Sequence, residues 1–398
     1  MRTSELVDLE PLLTASSGPL WTRLRKLPDG LRTARLGEAL VLLRHADGRA
    51  VLGSRAFEQG ILEDLGSGLD PRYVARRRRS LLHLSGAEHA RMRRLASPAF
   101  KPAAIERMRP LMRRTLGELL DRTIPGPVVD AVAAWTHPYP IPVICSALGI
   151  PAADLPLYSR IADAWTLALF DASAVPAGLA AHDELDAHVR RLVEARRAEP
   201  ADDLITDLIR QQEDLGTEDL TALVSALIMA GTDTTRLQLA SCLEFLAGRP
   251  DLWAALKRDP GLLPAAVEEM ARLAPVASFL RRVATADTTV NGLDIPAGTR
   301  IVLAVPAMNR DPDVYPDPHA CDLDRPATAA TLSFGGGAHY CLGGQLGRVE
   351  IQEALGTLLD RVSRLEPAGP PSWRPPRSLQ GPARLPIRYE RERGSNSA

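Results

Sequence analysis

The stretch from Thr217 to Ala247 constrains this chain more than any other feature: 31 residues without a proline, apolar at helical spacing, closed by Gly248 and Pro250. At about 1.5 Å of rise per residue it predicts one helix roughly 45 Å long, enough to cross a whole domain. Thr217 is the expected N-cap. Leu220, Leu223, Val224, Leu227, Ile228 and Met229 cover most faces of its first half, which places that half in the core. In the middle sits Ala230-Gly231-Thr232-Asp233-Thr234-Thr235. Glycine costs about 1 kcal/mol relative to alanine in a helix, and β-branched threonine is a weak helix former. A carboxylate in a core must be paired or hydrated. Local rules broken together at one place mark a functional site. The bland alternative is a close helix contact through small residues, and these six residues alone leave both open.

The remaining pattern is that of a mainly α chain with a small β portion. Pro102 to Arg122 and Asp183 to Arg197 carry apolar residues at helical spacing. Thr288 to Val290 and Leu293 to Ile295 flank Asn291-Gly292, a pair that favours a two-residue hairpin turn, and Arg300 to Val305 reads as a further strand. Proline and glycine punctuate Asp311 to Pro326 and Pro367 to Pro376. No repeat or low-complexity linker interrupts the 398 residues, so 1–398 read as a single domain with a frayed polar tail from about Glu392.

Charge excludes more than it selects. With 48 Lys and Arg against 49 Asp and Glu, a net charge of -1 gives no reason to expect nucleic acid or an anionic membrane as partner. The N-terminus carries acids and no sustained apolar run, and no later window reaches the ~18 apolar residues of a spanning helix. Cys145, Cys242, Cys321 and Cys341 are scattered, with no CxxC and no disulfide spacing. A reducing cytoplasm is the expected compartment.

The other conspicuous segment is Phe334-Gly-Gly-Gly-Ala-His-Tyr-Cys341-Leu-Gly343-Gly-Gln-Leu-Gly-Arg348. Glycines let a backbone approach something bulky and adopt positive φ. A helix predicted from Gln345 to Leu359 sets Cys341 just before its N-terminus, a position expected to lower a thiol pKa and favour thiolate. Backbone N–H groups of the loop can also hydrogen-bond the sulfur and tune it as a ligand. Three other readings compete. A lone cysteine is most often a small core residue. A glycine-rich loop before a helix can cradle phosphate, although GxxxxGK[ST] and the strand–GxGxxG–helix context are both missing. Zinc is the third, since His319-Ala-Cys321 and His339-Tyr-Cys341 form two HxC pairs, tighter than structural zinc sites prefer.

The segment resembles the ligand loop of the cytochrome P-450 family, the haem-thiolate monooxygenases, matching FGxGxHxCLGxxLxR at every defined position from Phe334 to Arg348. The resemblance covers most of the chain, in order. It implies the cytochrome P-450 fold and haem b, iron-protoporphyrin IX, with Cys341 as axial thiolate and Phe334, Gly335 and Gly343 in the cofactor's cradle. Ala230 to Thr234 resembles the family's oxygen-activation stretch, which implies Ala230 beside the haem, Thr234 steadying the reacting oxygen, and Asp233 supplying protons. Chemistry agrees: an acid joined to solvent and a hydroxyl at the oxygen form a relay. Glu269-Met-Ala-Arg272 resembles the ExxR helix, a structural pair that locks the meander near Asn309-Arg310-Asp311-Pro312. His89 and Arg93, with Arg282 and His339, fall where the family binds the two propionates; Arg281 is the alternative to Arg282. Gly347 stands where alanine is usual, and Cys321 where many relatives carry an aromatic.

The resemblance further implies a reaction that uses dioxygen and two electrons to hydroxylate or epoxidise a small organic substrate, with secondary metabolism the expected setting. With no flavin or nicotinamide module in view, a ferredoxin and its ferredoxin reductase are the expected donors. A carrier protein bearing the substrate is a further expected partner. Arg76 to Arg79, with Arg91 and Arg94, supply a basic docking surface on the thiolate side or else a solvated loop. Recognition is expected within Gly60 to Leu81, Leu155 to Ala181 and Pro275 to Leu280. There Trp165, Leu167, Phe170 and Phe279 suit an apolar or aromatic ligand, or simply the core. Ala226 and Ala230 leave room above the haem. Peroxide-driven or oxygen-independent haem-thiolate chemistry and a haem-based sensor are the rivals; the Asp233–Thr234 pair argues against all of them.

Overall fold

Thr217–Ala247 forms a single unbroken helix, and the two largest hydrophobic clusters of the protein meet along it. The computed structural model describes residues 6–14, 18–28, 30–60, 70–124, 128–170, 172–210, 216–326, 331–374 and 378–392. The helices that frame the site are α1 (His45–Gly53), α2 (Pro71–Arg79), α3 (Gly86–Ala96), α4 (Pro102–Arg122), α5 (Pro140–Leu148), α6 (Leu155–Phe170), α7 (Val175–Ala198), α8 (Thr217–Ala247), α9 (Leu263–Leu273) and α10 (Gly344–Arg361). Leu220, Leu223 and Leu227 from the first half of α8 pack with α5, α6 and α7. Leu239, Leu243 and Leu246 from its second half pack with α4, α9 and α10. The helix is therefore apolar on most faces because each half is enclosed by a different set of neighbours.

Gly216, in extended backbone, is the N-cap of α8, and Thr217 is the first helical residue instead of the cap. The Thr217 hydroxyl is engaged elsewhere, accepting from Arg197 Nη2 at 3.3 Å. Glu218 and Asp219 in the first turn complement the helix dipole. Helix α7 starts at Val175, before the predicted Asp183. Its first turns, rich in alanine and glycine, carry little apolar periodicity but allow close approach: a Cβ on Gly178 would lie 2.7 Å from the Ala168 Cβ of α6.

The largest sheet has five strands in the order Thr33–Leu36, Ala39–Leu42, Arg300–Ala304, Phe279–Ala284, Phe57–Gln59. All its pairings are antiparallel except that of Ala39–Leu42 with Arg300–Ala304. The predicted hairpin pairs Thr288–Val290 with Leu293–Ile295, and Asn291 and Gly292 take φ of 45° and 80°, as its two-residue turn requires. Pro386–Arg391 pairs with Val362–Pro367. Glu392 is anchored where fraying was expected: Lys257 Nζ donates to its carboxylate at 2.5 Å, and its N–H donates to the Arg361 carbonyl. The rest of the expected tail, 393–398, lies outside the described residues. Among the described residues no helix is long and apolar enough to cross a membrane.

Glu269 and Arg272 of α9 form a buried bidentate pair at 2.7 and 2.8 Å. Arg272 also donates to the carbonyls of Asn309, Pro318 and Ala320 at 2.7–3.0 Å, and Glu269 accepts the Asp322 N–H at 2.9 Å. A charge pair this buried is tolerable because every remaining donor and acceptor has a partner. The pair fixes the irregular chain that leads to the cysteine loop.

Candidate haem-thiolate site

The cysteine loop is shaped by its glycines. Gly335 and Gly337 take positive φ, 71° and 62°, and a Cβ on Gly337 would lie 1.9 Å from the Leu52 carbonyl oxygen of α1. Only glycine lets the loop press against that helix. The Cys341 N–H donates to the Phe334 carbonyl at 2.8 Å, closing the loop just ahead of α10. Arg348 of α10 stacks on the Phe334 ring, 3.9 Å from its centroid, and pairs with Glu268. Gly343 abuts the Phe100 ring and donates its backbone N–H to the Cys341 sulfur. Cys341 is exposed at its surface, yet enough protein crowds the sulfur that desolvation decides its titration. The thiol pKa is raised, with the Gly343 N–H and the charges of Arg93 and Arg348 opposing. In the free thiol, burial therefore works against the lowering expected from its place ahead of α10. Coordination to a cation would reverse the balance.

Beside this loop two arginines and two histidines converge. His89 and Arg93 come from successive turns of α3, Arg282 from the strand Phe279–Ala284, and His339 from the loop. The His89 and His339 rings lie 4.0 Å apart. His339 is pushed down to about 4, first by burial and then by His89, Arg282 and Arg93. Arg282 is 5% exposed and pushed down to about 10 by burial; its hydrogen bonds go to the Gln59 side chain and the Arg281 carbonyl. Arg282 rather than Arg281 bears on His339. No carboxylate pairs with any of the four among the described residues. Arg282 is a buried cation without an acid, Arg93 stands beside the two imidazoles, and burial holds both histidines toward the neutral form, so the cluster calls for anionic groups from outside the chain. The two propionates of a haem whose iron lies on Cys341 match that demand. The HxC pairs, by contrast, stay apart: His319 stacks on Trp21 at 5.2 Å and Cys321 packs against the core cluster around α4, α9 and α10. Among the described residues no three His, Cys, Asp or Glu gather as metal ligands.

On α8, Ala230 and Thr234 are half-buried, one turn apart, while Ile228, Thr232, Asp233 and Thr235 are buried. The Thr232 and Thr234 hydroxyls donate to the carbonyls of Ile228 and Ala230, each at 2.7 Å. Gly231 has a packing reason, since a Cβ there would lie 2.7 Å from Ile144 Cδ1 of α5. Close helix contact thus explains the glycine but not the acid. Asp233 is 8% exposed and accepts from the Thr166 hydroxyl of α6 at 2.5 Å, with Arg236 Nη1 3.5 Å away. Burial raises its pKa against the opposing effects of Thr166, Arg236, Arg374 and His137. A carboxyl raised from its ordinary range is suited to holding and releasing a proton. Sequence reasoning missed Glu350 of α10, fully enclosed, 3.4 Å from the Thr235 hydroxyl and held well above the carboxylate range by burial. A glutamate between Val349 and Ile351 on an apolar helix face was the available signal.

A cavity opens between α2, α6, α7 and α8, lined by the apolar Ala226, Met229 and Trp165 and the polar Arg76, His182 and Asp186. Arg76 pairs with Asp183 and, at 3.1 Å, with Asp186; Arg79 pairs with Glu218 at 2.7 Å. Arg76 and Arg79, on helix α2 and not in a loop, therefore line this cavity, drawn to acids of α7 and α8, while Arg78 is exposed and the Arg77 side chain lies outside the description. Arg91 is taken by Glu88 at 2.7 Å, while Arg94 is exposed. Of the expected recognition residues, Trp165 lines the cavity, Phe279 is core at 2% exposure, and Leu167 points outward at 58%. The Phe170 side chain and residues 61–69 lie outside the description. His182 and Asp186 lie just past the expected region, because α7 turns a polar stripe inward.

The chain matches the family model described as Cytochrome P450 over residues 164–259 and 261–380. It is 35% identical to the mycinamicin IV hydroxylase/epoxidase of Micromonospora griseorubida over 364 residues, covering 88% of this chain and 89% of that protein. Against the pentalenic acid synthase of Streptomyces avermitilis it is 33% identical, with 91% and 94% covered. Among solved structures it is similar to a mutant of P450 EryK in complex with erythromycin B, with TM-score 0.82, 28% identity and 95% and 98% coverage. It is equally similar, at TM-score 0.82 and 26% identity, to P450BioI in complex with an acyl carrier protein ligated to hexadec-9Z-enoic acid, with 88% and 92% covered.

Proposed function

The chain belongs to the cytochrome P450 family and is a haem-thiolate monooxygenase, and from that premise we propose that the Cys341 thiolate would hold the haem iron and that His89, Arg93, Arg282 and His339 would hold the propionates. The observation that carries this assignment is the gathering of Arg93 and Arg282, without an acid, around the paired His89 and His339 rings beside an exposed cysteine. Bound there, the haem supplies the activation of dioxygen by two electrons and the transfer of one oxygen atom to substrate. The protein's part is positional and electrostatic. The Gly343 N–H steadies negative charge on sulfur, and Phe334 and Gly335 hold the loop around it. Ala230 leaves room on the distal side. Thr234, whose hydroxyl now rests on the Ala230 carbonyl, can turn that hydroxyl toward the reacting oxygen, and Asp233 feeds it protons.

The cavity supports a substrate with an apolar part, set against Ala226, Met229 and Trp165, and a polar part that meets Arg76, His182 and Asp186. Hydroxylation or epoxidation of a secondary metabolite is the reading in keeping with relatives named as a mycinamicin hydroxylase/epoxidase and a pentalenic acid synthase. Electrons come from a ferredoxin and its reductase, in the cytoplasm. Delivery on a carrier protein is the second form, supported by the carrier-bound neighbour.

The test is the absorption spectrum of the purified protein, reduced and given carbon monoxide. A Soret band strongly red-shifted from that of imidazole-ligated haem is expected, lost in Cys341→Ser with haem still bound. A colourless protein with stoichiometric zinc, or a Cys341→Ser variant with an unchanged band, refutes the assignment.

A further inference from the structure

Behind Asp233 lies a small, partly open void with room for about one water molecule, where Thr136, His137, Thr166, Asp233, Arg236 and Arg374 meet the apolar side chains of Val132, Leu237 and Pro382. Two donors on its wall lack partners among the described residues. Thr136 is fully buried and its hydroxyl bonds to nothing; Arg236, 4% exposed, uses Nε on the His137 carbonyl at 2.7 Å and Nη1 on Asp163 at 3.2 Å, leaving Nη2 unmatched. A buried donor left empty costs about 1–3 kcal/mol, so two at one void are strong grounds for an occupant. The occupant must fit a water-sized space and accept from a hydroxyl and a guanidinium while donating to a carboxylate. Water meets every condition.

The same void interrupts a line of titratable groups running to solvent. Asp163 of α6 is 45% exposed, and its carboxylate meets His137 Nε2, whose side chain is 33% exposed, at 3.0 Å. Arg236 Nη1 stands between this pair and Asp233, 3.2 Å from one carboxylate and 3.5 Å from the other. A guanidinium does not give up its proton in proteins, so Arg236 holds the two acids near each other without conducting between them.

We propose that the void is a binding site for one ordered water, and that this water, held by Thr136 and Arg236, carries protons to Asp233 from the solvent-facing pair His137 and Asp163. Each passage balances: the Thr136 hydroxyl turns its hydrogen off the water, the water takes a proton from His137 on the freed lone pair, gives one of its own to Asp233 and is restored, while His137 recovers a proton from solvent by way of Asp163. His137 and Asp163 are positioning and relay residues that touch neither substrate nor cofactor. The inference rests on the reading of Asp233 as proton supplier.

The test uses the haem-loaded enzyme with its redox partners and three variants: Thr136→Val, which keeps the shape and removes the hydroxyl, Asp163→Asn, and Asp233→Asn. A high-resolution crystal structure of the wild type is expected to hold one water in the void, and that of Thr136→Val none. Thr136→Val and Asp163→Asn are each expected to lower product formed per electron pair several-fold and to raise the solvent deuterium isotope effect. Both should keep the thiolate-type carbon monoxide band, the substrate-induced spectral shift and turnover with added hydrogen peroxide, which brings its own protons. Asp163→Glu is expected to restore coupling. A dry void in the wild type, or wild-type coupling and isotope effect in both Thr136→Val and Asp163→Asn while Asp233→Asn is impaired, overturns this proposal alone. Wild-type behaviour in Asp233→Asn overturns the underlying reading of Asp233 instead.

Discussion

Single residues here are set by conflicts between burial and charge. Glu350 is the sharpest case: its carboxyl is enclosed, one oxygen meets only the Thr235 hydroxyl, and the other has no partner among the described residues. The folded protein therefore keeps it protonated, while the unfolded chain ionises it near pH ~4.3. Its folded pKa is raised, so stability is complete below the unfolded value and falls as pH rises toward the folded one. Glu350→Gln, neutral at every pH, escapes this loss. Denaturant unfolding at pH 5 and pH 7 should show the variant gaining on the wild type as pH rises, and a constant difference refutes the protonated form. Arg282 presents the opposite conflict, a buried cation with only neutral hydrogen-bond partners. Arg282→Met should stabilise the haem-free chain yet release haem roughly 10-fold or more faster, since a charge-assisted bond contributes about 1.5–3 kcal/mol. Transfer of haem to apomyoglobin measures the second effect, and thermal unfolding of the haem-free chain the first. Neither environment was visible in the sequence. Cys341 was legible because its loop is a long fixed pattern; Glu350 was not, because a glutamate's burial depends on helices 115 positions apart in the chain.

Elements were legible where their signal is local and long. The bounds of α8 follow from 31 residues of periodicity and a Gly-Pro stop, and the hairpin from Asn291-Gly292. The start of α7 was missed because alanine and glycine give no periodicity, and the cap of α8 because a threonine hydroxyl serves Arg197 instead. The five-stranded sheet was beyond reach: its strands are three to six residues long, and Ala39–Leu42 pairs with Arg300–Ala304 across most of the chain. Within elements, two glycines separate conformational need from accident. Gly347 sits inside α10 at helical φ, and a Cβ there would meet nothing within 4 Å. Gly347→Ala should raise stability by about 0.5–1 kcal/mol without altering the spectrum. Gly337→Ala carries both a positive φ and a Cβ driven into the Leu52 carbonyl, so the loop must move and the thiolate spectrum should be lost. Equal effects of the two substitutions in a melting experiment would contradict this account of the loop.

At the scale of the molecule, the site is held by groups that never approach it. Arg272 fixes the carbonyl of Asn309; the Asn309 side chain accepts the Leu332 N–H at 2.9 Å and donates to the Ser333 hydroxyl at 2.8 Å; Phe334 then receives the Cys341 N–H. The Ser333 hydroxyl also donates to the Ala271 carbonyl of α9 at 2.6 Å. The ligand loop is thus tied by a short run of hydrogen bonds to the Glu269–Arg272 pair. The ExxR pattern marks that pair as structural, and the geometry explains why structure and ligation cannot be separated at it. Arg272→Leu would leave the buried Glu269 with only Arg325 and the Asp322 N–H and would empty three carbonyls, a loss of about 3 kcal/mol. Asn309→Leu leaves the ion pair intact but cuts the tie to the loop. If the loop's geometry descends from this chain of bonds, the two substitutions must differ. Arg272→Leu should lose both fold stability and haem, whereas Asn309→Leu should lose the thiolate-type carbon monoxide band with a smaller loss of stability. If Asn309→Leu melts as early as Arg272→Leu but retains the wild-type band, the loop is held by its own glycines and the contact with α1, and the pair serves the core alone.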